Sequence, residues 1–488
     1  MKIGAKLTVV FFLIAFVSML VVGIISYSQA KKSFKTESFN RLTAVREGKA
    51  SQIVDYFQDI QDQLLSLAEN PATIDAMNSF RFGFDNIENE LKLPYSDFKV
   101  LKKDLNRYIN DSLLPLINEN LSSKIDQSKV VTVSENSIFL QQQFLANNPN
   151  PIGSKYKLDT IPFSCSYNFA HKKYHKVLRD FSKRFGYYDV FLVDHKTGNV
   201  VYSVYKELDF ASSLVNGPFS NTNFALAFNR ACKIQTKGQA TLVDFYSYIP
   251  SYNAHASFMA CPIFEDNEMI GVLAFQMPID RINNIMTSNR EWKKVGLGKT
   301  GETYIIGEDF KLRNQSRFLI DDSVNYFKML KSIGTDNHTV QQIRNFGSTI
   351  GLQEVKTMGT IEAINGIADT KIFKDYRGVS VLSAFKPLKV LGMNWAIMSE
   401  IDEKEAFSHI VTLRNQLITG FLGLLVIVLF VSYFVSNKIT KPLKELTLDS
   451  AEIANGNFDV VLKSKSNDEI GILADGFRKM QISISNLV

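Results

Sequence analysis

The chain has 488 residues, a length that suggests about three to four domains, and with 45% of them hydrophobic and 21% charged it is too apolar for a disordered chain. Its 55 basic and 49 acidic residues leave a formal charge of +6, too slight an excess to imply nucleic-acid binding. Three cysteines (Cys165, Cys232, Cys261) exclude a disulfide-dense scaffold.

Residues 1–6 form a short terminus carrying Lys2 and Lys6. No charge interrupts Leu7 to Ile25, a run of the roughly 20 residues an α-helix needs to cross the ~30 Å hydrocarbon core, so a first span is expected at 7–27. A cleaved signal peptide is the rival reading, with Ser28-Gln-Ala30 as the cleavage site, although an h-region is normally only about 7–15 residues. Residues 28–415 form a long loop without a third uncharged run of that length. At its start, 31–70 reads as one helix: Ile53, Phe57, Ile60, Leu64 and Leu67 recur at spacings of four and three, and Asn70-Pro71 ends it. A second helix, from about Ser96 to Leu121, carries Leu101, Leu105, Ile109 and Leu113 on one face.

From Tyr187 the period becomes that of strands. Tyr188–Asp194 and Asn199–Val204 flank a glycine turn, and Ala256–Phe264 and Met269–Gln276 flank the polar turn Glu265–Glu268. A strand at Ala240–Tyr246 and a short helix at Asn223–Cys232 lie between these hairpins. Two hairpins around a helix describe a PAS-like sheet with room for a small ligand. The order repeats loosely downstream. Gly301–Gly307 with Lys311–Ser316 forms one hairpin, and Gly378–Phe385 with Trp395–Glu400, turning over Pro387–Met393, forms another. The stretch Asp322–Lys371 between them has no assigned structure. A second uncharged run, 416–436, is a second span. Lys438, Lys441 and Lys444 follow it and place that end in the cytoplasm, so both termini are cytoplasmic and the loop is extracytoplasmic. Beyond it, Ile439, Leu443, Leu446, Ser450 and Ile453 keep four–three spacing. After a break at Asn455-Gly-Asn457, the seam Ile470, Leu473, Phe477, Met480, Ile484 and Leu487 continues it. Two short amphipathic helices bury such seams by dimerising into a parallel four-helix bundle.

Residues 31–405 resemble a double Cache (dCache) sensor domain of bacterial chemotaxis receptors and membrane-bound cyclases. The residues that carry the resemblance are Ala146-Asn-Asn-Pro-Asn-Pro-Ile-Gly153, Val243-Asp-Phe-Tyr-Ser-Tyr-Ile-Pro-Ser-Tyr-Asn253, Pro278-Ile-Asp-Arg-Ile-Asn283 and Val295-Gly-Leu-Gly-Lys-Thr-Gly-Glu-Thr-Tyr304. The resemblance implies an α+β fold in which a long N-terminal helix leads into two PAS-like modules. By the same resemblance, the membrane-distal module, 163–286, is expected to bind the ligand, and the membrane-proximal one is 290–405. Within the distal module, Asp244, Tyr246, Tyr248, Tyr252 and Asn253 offer a carboxylate, phenols and an amide to a small polar molecule. The plainer alternative is that the tyrosines pack a strand and Asp244 caps a turn. The Arg-x-Trp-Tyr motif of amino-acid-binding relatives is absent; the tryptophans are Trp292 and Trp395. Residues 437–488 resemble a HAMP domain through Pro442 after Lys441 and through Asp468, Glu469 and Gly471 at the second helix. The resemblance implies that these relay movement of a membrane helix.

Other signals point nowhere. Gly296–Gly301 lacks the glycine that a phosphate loop needs at Lys293. His171 and His175 sit among Lys172, Lys173 and Lys176, which reads as a solvated basic helix face and not a metal site. Cys232 and Cys261 are either a bridge or packed thiols. No nucleophile–base motif, metal site or cofactor site is expected, so no catalytic residues are named. The expected function is that of a bacterial inner-membrane receptor, homodimeric through HAMP, which senses an extracytoplasmic small molecule for a cytoplasmic signalling partner, in the manner of chemotaxis. The alternatives are the sensory half of a cyclase, histidine kinase or phosphatase, or a receptor without output, since no output module is expected within the residues up to Val488.

Overall fold

The computed structural model describes residues 3–132, 134–457, 459–462 and 467–486. The chain divides into two compact units, 38–405 and 1–37 together with 406–488.

The larger unit is built on helix α1 (Ile3–Ala68), whose Ile53, Phe57, Ile60 and Leu64 form a sealed apolar face. Each such side chain contributes about 1.5–3 kcal/mol on burial, which is what anchors so long a helix. Asn70 separates it from α2 (Pro71–Leu91): its side chain accepts the Ala72 amide at 2.9 Å. Pro71 occupies the first helical position, where no N–H is needed. Gly83 of α2 admits the backbone of α6 (Ser166–Phe185); a Cβ there would stand 2.6 Å from Tyr167 N. Between them, α3 (Tyr95–Tyr108) and α4 (Leu114–Glu119) are joined by a π-turn over Ile109–Leu113, followed by Pro115, and α5 is Glu135–Gln141. A proline cannot donate to the preceding turn, and the wider turn absorbs the missing bond.

The distal sheet comprises β1 (Asp189–Asp194), β2 (Val200–Ser203), β3 (Thr241–Ser247), β4 (His255–Glu265) and β5 (Glu268–Gln276), with α7 (Asn223–Ala231) before β3. Its antiparallel order is β2-β1-β5-β4-β3. One face, with Val190, Leu192 and Phe275, packs on α1, α2 and α6, and the other, with Phe191, Phe258 and Val272, packs under α3, α4 and α7. Asp266 and Asn267 close the β4–β5 hairpin with φ of 45° and 69°, the left-handed pair that matches strand twist. Then follow α8 (Ile279–Thr287), β6 (Glu302–Ile306), α9 (Arg317–Asp321), α10 (Ser323–Ser332), α11 (Asn337–Phe346), α12 (Met358–Ile364), β7 (Asp369–Lys374), β8 (Ser380–Val390) and β9 (Met393–Asp402). The proximal sheet has the order β6-β9-β8-β7.

Mixed helix and sheet, the long first helix and the distal hairpins are as the sequence implied. The proximal module differs in three places. Lys311–Ser316 is not a strand; it has isolated bridges from Leu312 to Ile306 of β6 and from Lys311 to Glu354. The expected turn at Pro387–Met393 shrinks to Leu391-Gly392, because β8 continues through Pro387 to Val390. β7 pairs only with Ser380–Phe385, so one side of β8 is free of a ladder at Pro387, where proline is tolerated. The unassigned stretch Asp322–Lys371 holds three helices and enters β7.

The smaller unit contains the start of α1, the end of α13 (Glu403–Ala406), α14 (Ser408–Ala454) and α15 (Glu469–Ser485). The start of α1 and α14 are both long and apolar enough to cross a membrane. They touch through Phe16 and Phe421, and Ser436 Oγ donates to Gly4 O at 2.6 Å. α14 passes Pro442 without ending. Asp468 caps α15, accepting from the Ile470 and Gly471 amides. Leu446, Ile453, Leu462 and Ala474 pack with Ile470 and Phe477, whereas Leu473 and Met480 of the expected seam face outward. Leu487 lies outside the described residues.

Candidate functional site

The start of β1 and the loop after β2 gather charged groups inside the distal module. Asp189 is fully buried and accepts from Val204 N at 2.8 Å and from Ser203 Oγ at 2.9 Å. Lys206, 2% exposed and held at φ 60°, donates to Ser203 O and lies over the Tyr202 ring at 4.3 Å. Burial pushes the Asp189 carboxyl up and the Lys206 ammonium down, each toward its neutral form. Glu207 accepts from Tyr188 Oη at 3.0 Å and Ser251 Oγ at 3.1 Å, and burial raises it well above the usual carboxylate range. Asp209 accepts from Tyr248 Oη at 2.7 Å, its Oδ1 has no partner among the described residues, and burial lifts it to about 7.

An enclosed cavity of about 20 Å³ adjoins this cluster, lined among others by Tyr108, Lys155, Tyr205, Lys206, Glu207 and Tyr252. That volume holds about one water molecule. Tyr205 and Tyr188 stack at 5.6 Å and also line a far larger cleft of about 800 Å³ between the distal and proximal sheets. Tyr205 lines both, so its ring stands between the small polar cavity and the open cleft.

The five residues expected to meet the ligand do not share one surface. Tyr252 lines the cavity. Tyr248 lies in the core beneath it and orients Asp209. Asn253 is bound to Ser247 and donates to Asn120 O at 2.8 Å, fastening its loop to the end of α4. Tyr246 is 53% exposed on the edge strand. Asp244 lies beside an irregularity in the β3–β4 register and turns toward the proximal module. There it accepts from Arg313 Nε at 2.8 Å, Arg313 Nη2 at 2.9 Å and Trp395 Nε1 at 3.0 Å. Its oxygens are thereby taken up in the seam between modules.

The histidine expectation is corrected. His171 and His175 are buried, not solvated, because they share the inward face of α6 with Tyr167, Tyr174 and Leu178 while Lys172, Lys173 and Lys176 point outward. Their rings stack at 4.2 Å. His175 Nε2 donates to Tyr156 O at 2.7 Å, so its Nδ1 accepts from Tyr202 Oη at 2.8 Å. Burial pushes His175 down to about 2, and His171 also falls well below the usual range. All three cysteines are free thiols. Sequence reasoning passed over Asp189, Lys206, Glu207 and Asp209. The available signal was Lys206-Glu-Leu-Asp209 set between the apolar runs at Val200 and Phe210.

The Cache-domain family model matches residues 28–410, and the HAMP-domain model matches 434–486. This chain belongs to the Cache-domain family. A HAMP domain follows the sensor in the same chain, and both are signalling modules, so the Cache–HAMP protein is a signal-transduction receptor. Comparison with curated proteins returned no match. Among solved structures, the ligand-binding domain of the Pseudomonas fluorescens chemoreceptor CtaA, in complex with L-leucine, is 13% identical with a TM-score of 0.29, covering 63% of this chain and 99% of that one. The ligand-binding domain of the Pseudomonas aeruginosa PAO1 amino acid chemoreceptor PctB, in complex with L-Arg, is 15% identical with a TM-score of 0.27, covering 68% and 94%. The amino acids are ligands of those proteins.

Proposed function

We propose that the Cache–HAMP protein is a chemotaxis-type receptor of a bacterial inner membrane, with the sensor outside the cytoplasm, both termini inside, and a homodimer formed through HAMP. Lys438, Lys441 and Lys444 after the second apolar helix support the orientation. The outward-facing Leu473 and Met480 support the dimer, since a second copy of α15 would cover them. With Tyr205 moved aside toward the neighbouring cleft, the distal cavity, which as it stands holds about one water, opens to take a small zwitterion whose ammonium meets Glu207 and whose anionic group meets Lys206. The observation that carries this is that groups of opposite charge, Glu207 and Lys206, line one enclosed cavity and are both driven toward neutrality by burial. A ligand bearing both charges restores both ionised forms. Tyr252 contacts the ligand, Tyr248 and Asn253 shape its walls, and Asp244 couples the two modules. Pro442, Asp468, Glu469 and Gly471 relay the signal through HAMP.

Isothermal titration of the full chain in lipid nanodiscs tests this, with L-alanine and γ-aminobutyrate as zwitterions, acetate as an anion and putrescine as a dication. Binding of a zwitterion, lost in Lys206→Met, is expected. Binding of putrescine alone, or zwitterion binding unaffected in Lys206→Met, refutes the ligand class.

A further inference from the structure

Lys49 lies buried on α1 with no acid to hold it. It is 7% exposed, and its ammonium donates to Ile285 O near the end of α8. An ammonium has three donors, so that carbonyl leaves two unspent. Burial alone accounts for the lowered pKa of Lys49, with no carboxylate among the described residues close enough to oppose it. A buried cation without a counter-ion is costly, and an anion bound beside it would relieve that cost.

Lys49 lines an open groove of about 530 Å³ between α1 and α8. The two helices pass in opposite directions there. Tyr56 Oη reaches Pro278 O, at the start of α8, at 3.5 Å, whereas Lys49 meets Ile285, near its end. The groove therefore has two unlike ends. Asp59 and Arg281 stand at the Tyr56 end, where their charges offset each other. At the Lys49 end stand Gln52, one turn along α1, and Ser288 and Asn289, which follow α8. Asp55 also lines the groove, but six helical residues set it about 9 Å along the axis from Lys49 and about 120° around it.

Ser288 Oγ is buried and has no hydrogen-bond partner among the described residues. Ser288, Asn289 and Arg290 have φ of 52°, 54° and 67°, three successive non-glycine residues in the left-handed region. Asparagine tolerates that region, but serine and arginine keep it only where the surrounding structure holds them there. This strained segment is the link between the distal and proximal modules. It brings an unpartnered hydroxyl and an amide to the groove that the Lys49 ammonium lines.

We propose that the Lys49 end of this groove binds a tetrahedral oxyanion, phosphate or sulfate, either free or as the head of a small organic ester. Lys49 supplies the charge, Ser288 a hydroxyl donor, and Gln52, Asn284 and Asn289 amide donors. A lone ammonium is a point charge and lacks the planar fork with which arginine clasps a carboxylate. Donors from a helix on one side and a loop on the other suit a group that accepts in several directions. The site is separate from the distal cavity, and its occupancy joins α1 to the link between modules.

Isothermal titration of the full chain in nanodiscs, at neutral pH and constant ionic strength, tests this with the sodium salts of phosphate, sulfate, glycerol 3-phosphate and acetate. Saturable binding of phosphate or sulfate is expected, and none of acetate. Tighter binding of glycerol 3-phosphate than of phosphate supports an organic ester as the ligand, and weaker binding supports the free ion. Lys49→Met is expected to weaken binding about tenfold or more, Ser288→Ala about threefold, and Lys49→Arg less than Lys49→Met. Lys49→Met also gives up the bond to Ile285 O, whereas Ser288→Ala forfeits no hydrogen bond among the described residues. Lys206→Met, which alters the distal cavity alone, is expected to bind as the wild type does. Absence of saturable oxyanion binding, acetate bound as tightly as phosphate, or affinity unchanged in both Lys49→Met and Ser288→Ala overturns the proposal.

Discussion

Replacing Asp244 with alanine tests whether the seam between modules is held by one buried ion pair. The Arg313 side chain is 1% exposed, and the Asp244 side chain is 13% exposed. The substitution removes both guanidinium bonds and the acceptor of Trp395 Nε1. Breaking a buried pair by deleting one partner costs about 3–5 kcal/mol, because the surviving charge stays desolvated. Arg313 keeps Asp309 at 2.9 Å and the Lys311 carbonyl, so the lower end applies and a loss of about 3 kcal/mol is expected. Trp395 packs edge-on to Phe57 of α1 at 5.5 Å, so the damage reaches the long helix. The assay is urea unfolding of the sensor in the full chain, followed by tryptophan fluorescence, for Asp244→Ala, Arg313→Leu and the double variant. With the charge and its partner removed together, the double variant should lose about 2 kcal/mol less than the sum of the singles. A single loss below about 1 kcal/mol, or additivity within about 0.5 kcal/mol, refutes the seam as described.

Other consequences follow from particular residues. Asp209 titrates near 7 in the folded protein, above its unfolded value, so its ionisation costs stability progressively as pH rises from about 4 to 7. Asp209→Asn should therefore gain on the wild type across that window and run parallel to it above, in denaturation midpoints taken at successive pH values. His175 works the other way: its folded value near 2 lies below the unfolded one, so its contribution is lost as pH falls below about 6.5, and His175→Gln should flatten the acid limb of the same profile. Gly83→Ala drives a methyl group to 2.6 Å from the Tyr167 backbone and should cost about 1–3 kcal/mol through displacement of α2 from α6, read as a lower urea midpoint. Asp468→Ala removes the cap of α15 and should cost about 1 kcal/mol, with Asp468→Ser restoring most of it, measured as the helical signal lost on heating.

What the sequence disclosed depended on whether burial follows a simple period. The α1 seam from Ile53 to Leu64 repeats every three or four residues, and the β4–β5 hairpin announces itself by an Asp266-Asn267 turn between apolar runs. β7, by contrast, carries Asp369, Lys371 and Lys374 because it is an edge strand, and charged edges read as loop. The distal site was hidden for a related reason. Lys206-Glu-Leu-Asp209 has the composition of a solvated turn, and only the covering helices and the π-turn before α4 reveal that it is enclosed. His171 and His175 misled in the same direction, since the lysines between them describe the opposite face of the helix.

The sequence of Val243–Asn253 carries the opposite lesson. Its polar side chains are all present where the pattern led one to look, yet they serve separate ends: Asp244 in the seam, Tyr248 under Asp209, Tyr252 at the cavity and Asn253 against Asn120. The irregular register between Val243 and Tyr246 interrupts the two-residue alternation, so the faces taken by Asp244 and Tyr246 do not follow from the pattern. One short segment thereby touches both the distal cavity and the contact with Arg313 and Trp395. A change in the cavity that shifts the Tyr248–Asn253 loop acts on the same strand that holds Asp244, and from there on Trp395 of β9. Coupling between the modules requires no long chain of contacts, only that β3 be displaced as a unit.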